Sequence, residues 1–371
     1  LFYSRQIGIQ SGFKVPILVG GKFTGKIGPY EVGALNVMTD PTTFGEEKIV
    51  QRFRTDTGTL LDVSNLASSS AVIVDTLEVE LIDTVKVART RYSVFRLRRE
   101  VLNRSNFGMI FTSKSPGENS SYNRSLGADL NLSLLNATLS AKGFIAKTWT
   151  PGLDGKDFAG LADLEYRKRS LQIQLSFLDV KENFKTEIGF VPRKDVRRIK
   201  SSFRFRPYSK ISWVRQFSIG PRFIYLMDQN NILRTSEFYS SVFVKLEKGD
   251  WIGVGYSDRF ERLDEPFEIH ENIIIPKADH RFGTLSFLVF SNRGRKISGN
   301  ISYQIGNFFG GTRRRLSFES GVKASGRLSF KASTEFNKVK LPGGDFATYR
   351  LGNKVLYSFT PALFVRGVIQ L

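Results

Sequence analysis

The chain has no cysteine and only two histidines among its 371 residues. Without cysteine there are no disulfides, no cysteine-based zinc or iron–sulfur sites and no thiol nucleophile. No run approaches eighteen consecutive apolar residues, so no segment can cross a bilayer as a helix; a membrane β-barrel is untouched by that absence. Helical periodicity is also nearly missing. An initiator methionine, a basic n-region and an apolar h-region are lacking, so any export signal is expected outside this sequence, and 365–371 stops in mid-strand pattern, so residues are expected beyond both ends. Acids are scarce as well: 35 Asp plus Glu face 55 Lys plus Arg, for a net charge of +20 and a pI near 10.0. What is abundant is apolar side chain, 41% of residues with 32 Phe, which excludes a self-solvating disordered chain.

Alternation of period two recurs from end to end, the signature of strands with two chemically different faces. Leu171-Gln172-Ile173-Gln174-Leu175-Ser176-Phe177 is the clearest instance, and Leu130/Leu132/Leu134, Phe203/Phe205, Ile301/Tyr303/Ile305, Leu316/Phe318 and Leu328/Phe330 repeat it. Each run lasts about ten residues and closes on Gly, Pro, Asn or Asp, which predicts hairpin-connected antiparallel strands. The runs fall near 16–26, 30–40, 91–99, 105–114, 124–133, 137–148, 157–168, 170–180 and 196–207, then near 211–227, 231–247, 250–259, 282–292, 296–306, 312–324, 326–337, 347–358 and 360–371. Short turns such as Asn292-Arg293-Gly294 and Ser325-Gly326 alternate with longer connections, of which 41–90 and the acidic 260–281 are the longest. Strands of about 9–11 residues with short turns on one rim and long loops on the other describe an outer-membrane barrel.

A soluble sandwich or propeller also alternates. Against it stand a polar face rich in Arg, Lys, Gln, Ser and Asn, and aromatics gathered near strand ends: Trp149, Tyr208, Trp213, Tyr225, Trp251, Tyr256, Phe308, Phe309 and Tyr357. Those positions suit girdles at two membrane interfaces. No repeat of propeller-blade length recurs. Segment 41–90 reads as a long insertion, either an external loop or an inward fold that narrows the lumen.

Motifs of catalysis are sparse. Gly20-Gly21-Lys22-Phe23-Thr24-Gly25-Lys26 begins like a phosphate-cradling loop, but Ile27 stands where Ser or Thr must hold Mg²⁺, and no helix follows, so a glycine-rich hairpin is expected. His270 and His280 share a loop with Asp258, Glu261, Asp264, Glu265, Glu268, Glu271 and Asp279, yet the spacing fits no zinc motif. No nucleophile elbow or triad pattern is present, so no catalytic, cofactor-binding or metal-binding residue is assigned.

The basic excess raises nucleic acid first, but Arg96-Leu97-Arg98-Arg99, Arg197-Arg198 and Arg313-Arg314-Arg315 are scattered at strand ends rather than set in one stripe. In a barrel these charges face the lumen, where they favour anions, or meet anionic lipid head groups. Arg204, Arg206, Arg215, Lys323 and Lys331 alternate with apolar residues and are the candidate lumen cations. In Gly189-Phe190-Val191-Pro192-Arg193-Lys194-Asp195, Pro192 cannot donate to a ladder, and Arg193 and Asp195 share a side, so this stretch is expected to clamp a loop to the barrel wall.

Several stretches carry a family resemblance: 2–8 with 16–28, Ser93-Val94-Phe95-Arg96, Asn103-Arg104-Ser105-Asn106-Phe107-Gly108, Asn123-Arg124-Ser125-Leu126-Gly127-Ala128-Asp129 and, most specific, 187–195. Together they resemble the bacterial DUF5916 family, in which a barrel domain follows a module similar to carbohydrate-binding module family nine. The resemblance spans nearly the whole chain and implies a Gram-negative outer-membrane barrel. The chain departs from it in lacking the module and the last strands, and in having Gln6 where a basic residue is expected.

The sequence is therefore read as one all-β domain over 1–371, a transmembrane antiparallel up-and-down barrel of about 16–18 or more strands, incomplete at both ends. Its expected role is passage or capture of a polar solute, anionic or saccharide-derived, in the bacterial outer membrane, with lipid and lipopolysaccharide as partners and no nucleic acid. The alternatives are a membrane-anchored hydrolase acting on glycans through the carboxylates of 258–271, and a closed structural or surface-assembly barrel.

Overall fold

The computed structural model describes residues 7–10, 13–55, 60–62, 73–102, 104–117, 121–360 and 362–371. The polar run at 63–70 and Gln6 lie outside the described residues, among which there is no helix. β1 (Ile9–Gln10) and β2 (Phe13–Lys14) make a small ladder ahead of the main sheet. The barrel then takes β3 (Ile17–Ile27) and β4 (Tyr30–Thr39). The excursion that follows holds β5 (Thr42–Thr55), β6 (Leu60–Asp62) and β7 (Ile73–Val87). The chain returns with β8 (Thr90–Leu102), β9 (Ser105–Pro116), β10 (Asn123–Leu134), β11 (Leu139–Trp149), β12 (Phe158–Arg167), β13 (Leu171–Val180) and β14 (Val196–Phe205). Next come β15 (Val214–Ile219), β16 (Arg222–Met227), β17 (Leu233–Leu246) and β18 (Trp251–Arg262), then the small hairpin of β19 (Phe267–His270) and β20 (Ile273–Ile275). β21 (Asp279–Phe290), β22 (Ile297–Phe308), β23 (Gly311–Lys323), β24 (Leu328–Leu341), β25 (Gly344–Ser358) and β26 (Phe364–Gln370) complete it.

Nineteen of these strands form a closed antiparallel barrel, and they fill eighteen positions, because β15 and β16 lie one after the other between β14 and β17. The single run expected at 211–227 is broken at Gly220-Pro221, where proline cannot donate to a ladder. β3 and β26 come together at the seam and, unlike the other barrel strands, are exposed on both faces. The glycine-rich 20–26 stretch is part of β3 and ends in the two-residue turn at Gly28, whose φ of 55° suits a residue without a side chain.

The registers carry one face of every strand unbroken around the barrel. Phe95 opposes Phe111, Phe111 opposes Leu126, Leu164 opposes Leu175, Phe177 opposes Ile199, Val254 opposes Phe287 and Ile301 opposes Phe318. This face is apolar yet open: Leu175 is 50% exposed, Phe177 44% and Ile301 46%. The opposite face carries Gln172, Gln174 and Ser176 against Arg204, Ser202 and Lys200. Arg204, Lys323 and Lys331 on that inner face are also exposed. Both faces are open only if the barrel is hollow, as eighteen positions lead one to expect.

The three longest connections, 40–89, 181–195 and 263–278, all leave the rim at which β3 begins. The first is a sheet of its own, β6-β5-β7, that pairs with no barrel strand. Thr42 opposite Val87 keeps the offset of Met38 opposite Arg91, so β5 and β7 prolong the β4–β8 ladder beyond the rim.

Candidate functional site

Every buried apolar cluster in the described chain lies where a loop meets the inner wall. Phe184 and Val191, from the loop at 181–195, pack on the inward residues Ala159, Val180 and Val196 and on their neighbours Phe144, Ala146, Leu178 and Leu226. Farther along, Ile188 is fully buried against Val37, Tyr92 and Val94. The third cluster is made by the β19–β20 hairpin, whose Ile273 sits on Val339 and Leu341, with Phe308, Phe309 and Phe346 around it. Val339 and Phe346 oppose each other at inward positions, so this hairpin also folds into the lumen. Two loops from the same rim therefore narrow the barrel from two sides.

Polar contacts hold the first loop in place. Asn123 is buried; its amide nitrogen donates to the Lys185 carbonyl at 2.7 Å and to Thr150 Oγ1 at 2.8 Å, and its Oδ1 accepts the Glu187 backbone N–H at 2.9 Å. Thr148 Oγ1 accepts the Lys185 N–H at 3.2 Å. The Glu187 carboxylate bridges Lys114 at 2.8 Å and Lys185 at 2.6 Å. Burial alone pushes that carboxyl up, but the two ammonium groups outweigh it and hold it below the usual carboxylate range.

Four of the stretches that carry the family resemblance, at 93–96, 103–108, 123–129 and 187–195, meet one another along this wall. Val94 packs on Ile188, Asn123 holds Glu187, and the Arg96 guanidinium lies over Gly108 and pairs with Asp129 through both of its terminal nitrogens. At Gly108 any side chain would collide with Arg96. Within 187–195 the anchoring side chains are Glu187, Ile188 and Val191. The clamp expected of Pro192, Arg193 and Asp195 takes a different form: Pro192 and Arg193 are exposed, and neither Arg193 nor Asp195 makes an ion pair among the described residues. An Arg–Asp pair at the surface gains little, whereas Ile188 gains from complete burial.

The candidate lumen cations divide into two groups. Arg204 opposes Gln172 on the inner face, and Arg206 reaches Gln172 Oε1 at 3.4 Å. Lys323 and Lys331 lie inward beside Gly321 on β23 and β24. Arg215 sits at the bulge between Val214 and Gln216, where the extra residue takes no partner and the register assigns it to neither face. Sequence reading missed Arg198, Arg222, Arg259, Arg313 and Arg315, all at inward register positions. Arg222, Arg259 and Arg315 pair with Glu237, Glu261 and Glu335, while Arg313 rests on the Phe308 ring 4.5 Å from its centroid. Strict alternation within the Arg313-Arg314-Arg315 triplet would have found two of them, since only Arg314 points outward with Ile305 and Lys338.

Two of the expected girdle aromatics also turn inward: Trp251 opposes Lys245 and Phe290, and Phe308 opposes Gly311. Trp149, Tyr225, Tyr256 and Tyr357 are on the outer face. Of the acidic residues at 258–279, Asp258 pairs with Arg281, Asp264 with Arg234, Asp279 with Arg262 and Glu261 with Arg259, while Glu268 accepts the Asn272 backbone N–H. His270 stacks on Phe346 at 4.6 Å, and His280 Nε2 lies 3.1 Å from the Pro276 carbonyl.

No family model and no curated protein matches the chain. Among solved structures it is similar to Pseudomonas aeruginosa OccK11 (OpdR), at 10% identity and a TM-score of 0.45 over 92% of this chain and 90% of that one. Acinetobacter baumannii OccAB3 aligns at 9% identity and a TM-score of 0.42 over 93% and 100%, and Pseudomonas aeruginosa OpdO at 12% and 0.43 over 92% and 97%.

Proposed function

We propose that the chain is an outer-membrane channel for polar, preferentially anionic solutes. The observation that carries this reading is the pairing of two open faces: an apolar outer belt around the barrel and an inner wall on which basic residues outnumber acids. An apolar surface of that extent is stable only against lipid tails. Trp149, Tyr225, Tyr256 and Tyr357 are placed to meet head groups, and the long-loop rim faces outward from the cell, where such barrels carry their longer loops. Inside, Arg204, Arg313, Lys323 and Lys331 form no ion pair among the described residues and attract anions into the lumen.

Planar-bilayer recording tests the reading. Under a KCl gradient the expected result is a stable conductance with a reversal potential biased toward chloride; a silent barrel, or one selecting cations, overturns it. Membership of the DUF5916 family is proposed on the sequence stretches alone.

A further inference from the structure

The lumen end away from the docked loops carries a feature that the channel reading does not use. One row of inward positions crosses six strands in register: Lys245 opposite Trp251, then Phe290, Asn300, Glu319 and Ser333. At one end of the row, the Phe243 ring lies 6.4 Å from Trp251 and 6.1 Å from Phe290, and the Lys245 ammonium lies 5.1 Å from the Trp251 ring. Gly253 leaves the space that Phe243 occupies, since a side chain there would collide with its ring. At the other end a hollow of 230 Å³ opens in the wall, lined by Ser298, Asn300, Glu319, Gly321, Lys323 and Lys331. Lys323 donates one hydrogen bond to the Arg293 carbonyl at 2.8 Å and keeps two donors. Arg293, Lys323, Lys331 and Glu319, which all line the hollow, enter no ion pair among the described residues, so cations outnumber the carboxylate and the hollow is net positive.

An aromatic surface beside a polar hollow suits a molecule with one apolar face and a rim of hydroxyls, which is the shape of a pyranose ring. Asn300, Ser298 and Glu319 supply donors and acceptors for hydroxyls, while two ammonium groups against one carboxylate favour a ligand that is itself negative. We propose that this row is a subsite for an acidic oligosaccharide, one ring on Trp251 and Phe290 and the carboxylate of a further ring on Lys323 and Lys331. The inference rests on the reading of the lumen as a solute path and names the class of solute.

The test uses the full chain in detergent micelles with Trp149→Phe and Trp213→Phe, so that Trp251, one of three tryptophans, is the sole emitter. Trigalacturonate is expected to give a saturable change in Trp251 emission, with an affinity at least tenfold above that for maltotriose. Lys323→Gln with Lys331→Gln should weaken trigalacturonate binding at least tenfold and leave maltotriose within about twofold. Lack of a saturable response, equal affinity for the two sugars, or indifference to the lysine changes overturns the proposal. Circular dichroism and heat-modifiable gel mobility establish that each variant is folded. The same preparation is recorded in bilayers: conductance without binding sinks the subsite and keeps the channel, whereas binding without conductance sinks the channel and keeps the subsite.

Discussion

The two ends of the lumen obey different rules. At the long-loop end the inner wall is apolar, with Val37, Tyr92, Val94, Ala159, Val180 and Val196 all turned inward, and each is covered by a loop. At the short-turn end the inner wall carries Asn300, Glu319, Lys323 and Lys331 and is bare. The same strands serve both ends, so the change happens along a single strand: β8 runs inward from Tyr92 and Val94 to Arg96 and Arg98. An apolar residue facing a water-filled lumen is unfavourable unless something covers it, at about 25 cal/mol per Å² of apolar surface. Along β4, β8, β12, β13 and β14 the inward apolar residues therefore mark where a loop docks, whereas at the opposite end the Phe243, Trp251 and Phe290 rings stay uncovered and are open to solute.

The sharpest way to break this contrast is to uncover the docked end. Ile188→Ala removes the only side chain of its loop in the Val37/Tyr92/Val94 cluster and should cost about 2–5 kcal/mol of docking. The loop would release while the barrel ladders stay intact. Single-channel conductance should rise several-fold and the 181–195 loop should become sensitive to protease, with barrel mobility on gels unchanged. Unchanged conductance would mean that the loop does not narrow the path.

A smaller effect is expected at Asn123. Asn123→Ala strips partners from the Lys185 carbonyl and the Glu187 N–H, at about 1–3 kcal/mol in total once water reaches the freed groups. Hydrogen exchange at residues 185–188 should speed up by about one to two orders of magnitude for a loss of this size, and exchange in β13 and β14 should not change.

Smallest is the effect of acid. Glu187 docked between Lys114 and Lys185 has a pKa below that of the free loop, so its contribution is complete above the free carboxylate value of about 4.3 and is lost as pH falls through the lower, docked value. Conductance should be flat from neutral pH to about 5 and rise only in stronger acid. Glu187→Gln should remove that acid step, because the amide does not titrate, and a step that survives the change must come from another carboxylate.

Much of the barrel was legible beforehand because a membrane strand writes its two faces into alternate residues. The expected eighteen runs match the eighteen positions, and Leu175 and Phe177 face outward as their alternation implies. Trp251 was misplaced on the outer girdle for a physical reason: an aromatic near a strand end suits either an interface or a lumen wall, and only the register with Phe290 separates the two. At Arg215 a bulge interrupts the alternation and leaves no signature that a single chain reveals, so alternation alone assigns that residue no face. The loop anchor was half legible: 187–195 stood out, but the residues that fasten it are Glu187, Ile188 and Val191 rather than Arg193 and Asp195.

By itself, the sequence determined the strand class, the approximate strand number, the apolar belt and the basic lumen, since each is a local property of alternating residues. Tertiary structure alone decided which loops turn inward and which wall they cover. Ile188 meets Val94, and Ile273 meets Val339, across separations that no local pattern encodes. Contacts of that kind form only after the barrel has brought distant strands to one rim, where burying an isoleucine outweighs leaving its loop in water.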